Sequence, residues 1–493
     1  MSEFQLTVRR AVRAALPLLA VPLLLASPLR AADAPSDPAT EAAALREQIE
    51  VLDQRLKVLE RQLELQRETA TAAAATAPVV RAGQDRFSLA STNGQTFIRL
   101  RGILNVDNRS FANSLAPGGA VLAPGTNQFL LRQVRPMFEG TLGNFIDFRF
   151  MPDFGGGRAI VQDAYVVARL QPWLQITAGK FKAPVGLERL QGDTDTRFIE
   201  RALPDRLIPN RDIGVQVGGD LFGGRLTYQA AWLNGAADGS SSDNNTAPDA
   251  DNNDQKDLDV RLFALPFRDS QFFRLRGLGV GVGASFADQT GQVDGTGAAT
   301  QSLLPAYRTN GQQTFFTYRG ATTPTIAAGR RTRVSPQAYY YYGPVGALAE
   351  YVTLSQQVRR VNGAVTRADE LQHSAWQVSL NWNVTGEDEG YRAPAPKRPY
   401  AIGAPGWGLL ELNARIAELR LDPDAFAGGA NSYANPVGSA TRARAWTLGV
   451  NWGLTQNFKL LLDYERTGFT GGAAAGADAP AEEVLFTRFQ LQY

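Results

Sequence analysis

The chain has no cysteine among its 493 residues, and only one histidine. Without thiols there is no disulfide framework, no thiol nucleophile and no thiolate metal site. The lone histidine, His373, is followed by Ser374. Adjacent strand residues point to opposite faces, so this pair cannot form the hydrogen-bonded couple of a serine hydrolase, and no enzyme is expected. Beyond the amino-terminus no run of about 18 apolar residues occurs, which excludes membrane-spanning helices. Charge is scarce in the sense that matters for polymers: the net charge is +2, and no nucleic-acid partner follows from it. Lysine is also rare, at six residues against 44 arginines. Arginine gives planar, two-pronged recognition of oxyanions, although a GC-rich coding bias would give the same ratio.

Neither a metal nor a cofactor is expected. Asp243–Asp259 is rich in Asp and Asn but lacks the glycine and terminal glutamate of a calcium loop. Gly277, Gly279, Gly281 and Gly283 alternate inside an expected strand, not ahead of a helix, so they do not form a phosphate cradle.

The amino-terminus reads as an export signal over 1–34. Arg9, Arg10 and Arg13 precede an apolar run, Ala14–Ala26, and small residues at Ala31–Ala34 offer a cleavage site. Residues 35–80 form a second unit. Leu45, Ile49, Leu52, Leu56, Leu59 and Leu63 alternate spacings of four and three, which predicts a coiled-coil helix over 41–69. Ala70–Val80 reads as a linker.

From residue 81 onward the expected domain is a barrel. Period-two patterning predicts sixteen strands near 96–107, 127–140, 145–152, 159–169, 173–181, 212–220, 225–234, 257–266, 273–287, 331–342, 345–355, 373–383, 407–420, 442–453, 457–466 and 484–493. Odd-numbered connections are mostly long and polar, 356–372 among them. Even-numbered ones are mostly tight, with one exception at 384–406. A closed antiparallel transmembrane β-barrel sorts its connections this way, long loops on one rim and turns on the other. The last strand supports closure: Leu485, Thr487, Phe489, Leu491 and Tyr493 share one face, while Arg488, Gln490 and Gln492 share the other. Such an all-β chain would sit in the outer membrane of a Gram-negative cell, in contact with lipid and lipopolysaccharide. Its helix would lie in the periplasm. Tyr339–Tyr342, Trp376, Trp382, Trp446 and Trp452 would supply interfacial girdles.

Several motifs, in order, resemble the phosphate-selective porin O and P family. They are Phe129-Leu-Leu-Arg-Gln-Val-Arg-Pro-Met-Phe, Phe148-Arg-Phe-Met-Pro-Asp-Phe-Gly-Gly-Gly, Gln162-Asp-Ala-Tyr, Gly179-Lys-Phe-Lys-Ala-Pro-Val-Gly-Leu-Glu-Arg, Ile199-Glu-Arg-Ala-Leu-Pro and Trp446-Thr-Leu-Gly-Val-Asn-Trp. The resemblance implies a sixteen-stranded trimeric channel for small inorganic anions, phosphate or similar, with an arginine ladder leading to a constriction. Carried over, Arg132 and Arg201 would be ladder residues, Asp163 the acidic residue of the constriction, and Arg189 would replace a constriction lysine. Ile103 and Gln133 depart from the pattern where arginines are expected, which weakens strict phosphate specificity.

The residues support the same chemistry independently. Fixed donors at two-residue spacing would line a water-filled lumen and hold an anion weakly enough to release it. Arg274/Arg276 and Arg331/Arg333 have that spacing, and Arg149, Arg261 and Arg415 lie opposite apolar rows. Arg442 and Arg444 share a face with Trp446 and belong outside. Loop 182–211, with Lys182, Arg189 and Arg201, is the expected constriction. The expected function is passive anion diffusion. The alternative is a general, non-specific porin with a structural envelope role through its coiled coil.

Overall fold

The computed structural model describes residues 37–83, 86–112, 126–240, 254–320 and 323–493. The expected export signal and residues 241–253 lie outside the described residues. The chain divides into two compact units, 1–75 and 76–493.

The first unit is one helix, α1 (Pro38–Thr76), of 39 residues. It runs through most of the segment read as a linker, because the Ala-rich stretch carries high helix propensity and no breaker until Pro78. The apolar row Leu45, Ile49, Leu52, Leu56, Leu59 and Leu63 is exposed along it. No described helix is long and apolar enough to cross a membrane, which says nothing about strands.

The second unit begins with a hairpin the period-two reading missed, β1 (Val79–Gly83) and β2 (Arg86–Ala90). Its strands are five residues each, too short to establish a period. Sixteen longer strands follow: β3 (Phe97–Phe111), β4 (Gln128–Leu142), β5 (Ile146–Asp153), β6 (Ile160–Gln171), β7 (Leu174–Lys182), β8 (Arg211–Leu221), β9 (Leu226–Leu233), β10 (Asp257–Ala264) and β11 (Leu278–Thr290), then β16 (Thr325–Tyr342), β17 (Val345–Asn362), β18 (Val365–Asn383), β19 (Leu409–Arg420), β20 (Ala440–Gly453), β21 (Phe458–Gly471) and β22 (Glu482–Gln492). Four short strands, β12 (Gln292–Val293), β13 (Ala299–Gln301), β14 (Tyr307–Arg308) and β15 (Thr314–Phe316), pair two by two within the β11–β16 connection.

Each long strand pairs antiparallel with its neighbours, and β22 pairs with β3 from Val484 opposite Phe111 to Gln492 opposite Ile103. The sheet therefore closes into a barrel without an edge. Below that contact β2 takes over the same side of β3, with Phe87 opposite Leu100. All sixteen expected strands are present, and the chain enters and leaves the barrel on the rim that carries the tight turns.

Alternation holds around the wall. Leu258, Leu262, Val280, Val282, Leu380, Leu448, Leu462, Leu485, Phe489 and Leu491 are exposed, while their neighbours Asp259, Gly283, Asn381, Thr447, Asp463, Arg488 and Gln490 are buried or turned inward. This apolar-out, polar-in pattern is the one a lipid-embedded barrel requires.

Three expectations need correction. The connection 356–372 is not a long loop: β17 and β18 extend to a two-residue turn at Gly363–Ala364. Residues 273–277 are not strand, so Arg274 lies in a short 3-10 turn and Arg276 bonds to the Ser270 carbonyl. Tyr339 and Tyr341 face inward and only Tyr340 and Tyr342 face out, since alternate residues of β16 point to opposite faces.

Candidate functional site

The lumen is crossed by the connection between β7 and β8, residues 183–210, which carries a short helix, α2 (Leu187–Leu190). Apolar residues drive it inward. Val185, Ala202, Leu203, Leu207 and Ile208 are buried in one cluster with lumen-facing Val352, Leu354, Leu371, Ala417 and Leu419. Burial of a side chain such as Leu contributes about 1.5–3 kcal/mol, enough to hold a loop away from solvent. Backbone bonds fix it further: Glu350 accepts from the Leu187 amide at 2.8 Å and Asp463 from the Ile199 amide at 2.6 Å. From the opposite rim the β18–β19 connection, residues 384–408, rises to meet it. Tyr391 donates to the Leu187 carbonyl at 2.6 Å, and Glu389 pairs with Arg197. That contact explains why this even-numbered connection is long.

The charged groups left against the β3–β8 wall form one continuous ion-pair network. Glu139 is shared by Arg99 at 2.9 Å, Arg101 at 3.4 Å and Arg149 at 2.9 Å. Arg149 reaches on to Asp163 at 3.7 Å, and Asp163 takes Arg211 at 2.7 Å. Asp193, on the crossing loop, is shared by Arg201 at 2.9 Å, Arg211 at 3.5 Å, Lys182 at 3.8 Å and Arg135. Arg135 also holds Asp153 at 2.7 Å. Seven cations thus share four carboxylates, a surplus of three positive charges. Beside the network, Glu200 is shared by Arg109 at 2.9 Å and Arg132 at 3.2 Å.

Two β-bulges aim its members. Asn105 pairs with Gln133 and Val106 with Leu131, so Arg132 is an extra residue and turns inward beside Gln133. Met151 pairs with Asp163 and Pro152 with Val161, so Gln162 is extra and both Gln162 and Asp163 are buried inside. A bulge re-aims side chains in this way without ending the sheet.

The loop carboxylates are strongly held. Burial alone would raise the Asp193 carboxyl, but Lys182, Arg135, Arg201 and Arg211 outweigh it and keep it well below the ordinary range. Burial is likewise overcome at Glu200 by Arg132, Arg109 and Arg488, so its carboxyl also lies low. Burial brings the Arg189 guanidinium down to about 10, against the attraction of Asp205.

Of the residues singled out from sequence, Asp163, Lys182, Arg201 and Arg149 come together in the network, with Arg132 adjacent. Arg189 does not: it is buried in α2 and paired with Asp205. Arg415 is buried between Glu188 and Glu465, both at 3.3 Å, with its guanidinium 4.2 Å from the Phe198 ring. Arg333 is fully buried, paired with Asp238 at 2.5 Å and Asp257 at 3.5 Å. These two fasten loops to the wall. Arg261 is half-buried, its Nε donating to Gln337 at 3.0 Å. Arg442 and Arg444 face outward with Trp446, as read.

Sequence reasoning missed Arg99, Arg101, Arg135, Arg211, Glu139 and Asp193. Arg99 and Arg101 carry the two-residue spacing used elsewhere, so the same criterion would have found them. Nothing in the spacing of Asp193 marks it as a shared carboxylate. At Ile103, where the family resemblance puts an arginine, the lumen wall is an apolar patch with Met137 and Met151.

The family model for phosphate-selective porin O and P matches residues 108–493. No curated protein matches the chain. Solved structures that match include OmpT, an outer membrane protein of Vibrio cholerae, at 10% identity and TM-score 0.47, covering 81% of this chain and 98% of that one. The outer membrane channel DcaP of Acinetobacter baumannii matches at 9% identity and TM-score 0.48, with 81% and 97% covered. Salmonella typhi OmpF in complex with daunomycin matches at 11% and 0.47, with 81% and 99% covered. The chain belongs to the phosphate-selective porin O and P family, as a channel-forming barrel of the outer membrane.

Proposed function

We propose that the channel passes small anions by passive diffusion and prefers them to cations, with phosphate or a related oxyanion as its solute. The observation that carries this is the single ion-pair network of seven cations on four carboxylates where the crossing loop meets the β3–β8 wall. A surplus of fixed positive charge in a low-dielectric wall raises the local concentration of anions and repels cations. Sharing also keeps each guanidinium partly neutralised, which favours release over tight capture. That arrangement suits a solute held briefly and argues for anion preference over strict phosphate specificity.

In this reading the tight-turn rim faces the periplasm, residues 1–34 are removed on export, and α1 stands in the periplasm. The exposed leucine row of α1 favours self-association, and a homotrimer fits the family. The same row is the one observation favouring an added structural role toward the cell envelope. The girdle residues Trp382 and Trp452, outward near the turn rim, would meet the lipid interface, with lipopolysaccharide around the other rim.

Chloride current through the reconstituted channel, measured as phosphate is added, tests the solute. Block at sub-millimolar phosphate is expected of an oxyanion pore. Equal block by phosphate and by a neutral sugar would remove the oxyanion reading.

A further inference from the structure

Away from the ion-pair network, three neighbouring strands build a different kind of surface on the lumen wall. Arg261 and Phe263 of β10 lie opposite Gly283 and Gly281 of β11, and β11 in turn places Gly279 opposite Tyr339 of β16. The alternating glycines are a floor. A Cβ on Gly281 would come within 2.4 Å of the Phe263 ring, and one on Gly279 within 2.6 Å of the Tyr339 ring. Both rings therefore lie over bare backbone, which only glycine permits.

Tyr339 sits at the centre of a ring cluster, with centroids 5.1 Å from Phe263, 4.8 Å from Tyr341 and 5.4 Å from Tyr391. Tyr339, Tyr341 and Tyr391 are only partly buried and open toward the lumen. Beside them the Arg261 guanidinium stands 4.6 Å from the Phe263 ring centroid. Its Nε is fixed by Gln337, whose own amide donates to the Val185 carbonyl at 2.8 Å. Among the described residues Arg261 forms no ion pair, the Glu350 carboxylate acting on it only from a distance, and neither terminal nitrogen donates a hydrogen bond. Arg132, Arg149, Arg333 and Arg415 are all paired with carboxylates.

We infer that this surface is a binding step for small planar aromatic carboxylates. The two terminal nitrogens of Arg261 offer a fork that matches a carboxylate, and the tyrosine platform offers faces and edges for an offset-stacked ring. An aliphatic anion would use only the fork, and an uncharged ring only the platform. This inference names a solute class for the anion channel proposed above and rests on that reading.

The test uses the full-length channel in planar bilayers, with benzoate, cyclohexanecarboxylate and benzyl alcohol added to a chloride current. The expected result is half-block by benzoate at a concentration at least about fivefold lower than for cyclohexanecarboxylate, with benzyl alcohol weaker than both. Tyr339→Leu should bring the two carboxylates together, and Tyr341→Leu, at the neighbouring ring, should do so in part. Arg261→Gln should raise both half-blocking concentrations and remove the advantage of benzoate over benzyl alcohol. Equal block by the two carboxylates in the wild type, or a benzoate preference that survives both Tyr339→Leu and Arg261→Gln, would overturn the inference. The chloride-to-potassium ratio measured in the same membranes separates the two readings. Cation preference would defeat the anion channel itself, whereas anion preference without benzoate discrimination would defeat only this site.

Discussion

Arg149→Gln isolates one unit of lumen charge. Arg149 joins Glu139 at 2.9 Å to Asp163 at 3.7 Å, and its side chain is about one-third exposed. Its removal strands neither carboxylate, because Glu139 keeps Arg99 and Arg101 and Asp163 keeps Arg211. The barrel should therefore fold as before, with the surplus falling from three charges to two. At about 6 Å through water one unit charge is worth ~0.7 kcal/mol to a passing monovalent ion. Screening over a Debye length of about 10 Å at 0.1 M salt reduces that to ~0.4 kcal/mol. The charge acts with opposite sign on anion and cation, so their permeability ratio should fall by about fourfold, ~0.8 kcal/mol. Reversal potentials in a tenfold potassium chloride gradient read this directly. Arg225→Gln, an exposed pair with Asp269 at 3.0 Å, is the control and should leave the ratio unchanged. An Arg149→Gln channel with the wild-type ratio would refute the claim that this network sets selectivity.

Asp193→Asn should release the crossing loop, since Lys182, Arg135, Arg201 and Arg211 would lose their shared counter-charge. Breaking a buried pair from one side costs about 3–5 kcal/mol, and the expected readout is flickering current and faster proteolysis within 183–210. Acid should do the same late. The Asp193 carboxyl lies below its ordinary 3.8, so its contribution is complete above that value and is lost only as the pH falls further. The difference in current noise between wild type and Asp193→Asn should persist down to about pH 4, and a difference that closes between about pH 7 and 5 would contradict the assignment. Deleting residues 41–69 should weaken oligomers in native gels while leaving single-channel conductance intact. Oligomers of unchanged stability would assign self-association to the barrel alone.

The barrel was legible because lipid and water impose opposite demands on alternate residues. Leu258 against Asp259, or Leu462 against Asp463, states the face of each residue without any knowledge of its neighbours. Legibility failed where the lumen is not wet. Val352, Leu354, Leu371 and Leu419 face inward yet are apolar, because loops fold in and cover them, and Phe486 breaks its alternation to meet Ile199 and Leu461. The extended β17–β18 hairpin was hidden for the same reason: Val358 looks outward-facing in sequence but is buried beneath a loop.

The site was legible only in part. Motif resemblance picks out Asp163 and Arg132, but their inward aim depends on bulges that spacing cannot reveal. Arg189, Arg333 and Arg415 carried the same signal as the lumen-lining arginines. What separates them is a partner far away in sequence, such as Asp238 for Arg333. The glycine row of β11, which matches no phosphate cradle, has its role through the rings that rest on it.

If the surplus of fixed positive charge selects anions, the selection must show in the unmodified channel. Its most direct test is the zero-current potential of the wild-type channel in a potassium chloride gradient. Its sign should be the one set by chloride, and its size should shrink at high salt as the charges are screened. A potential set by potassium, or none at low salt, would contradict it.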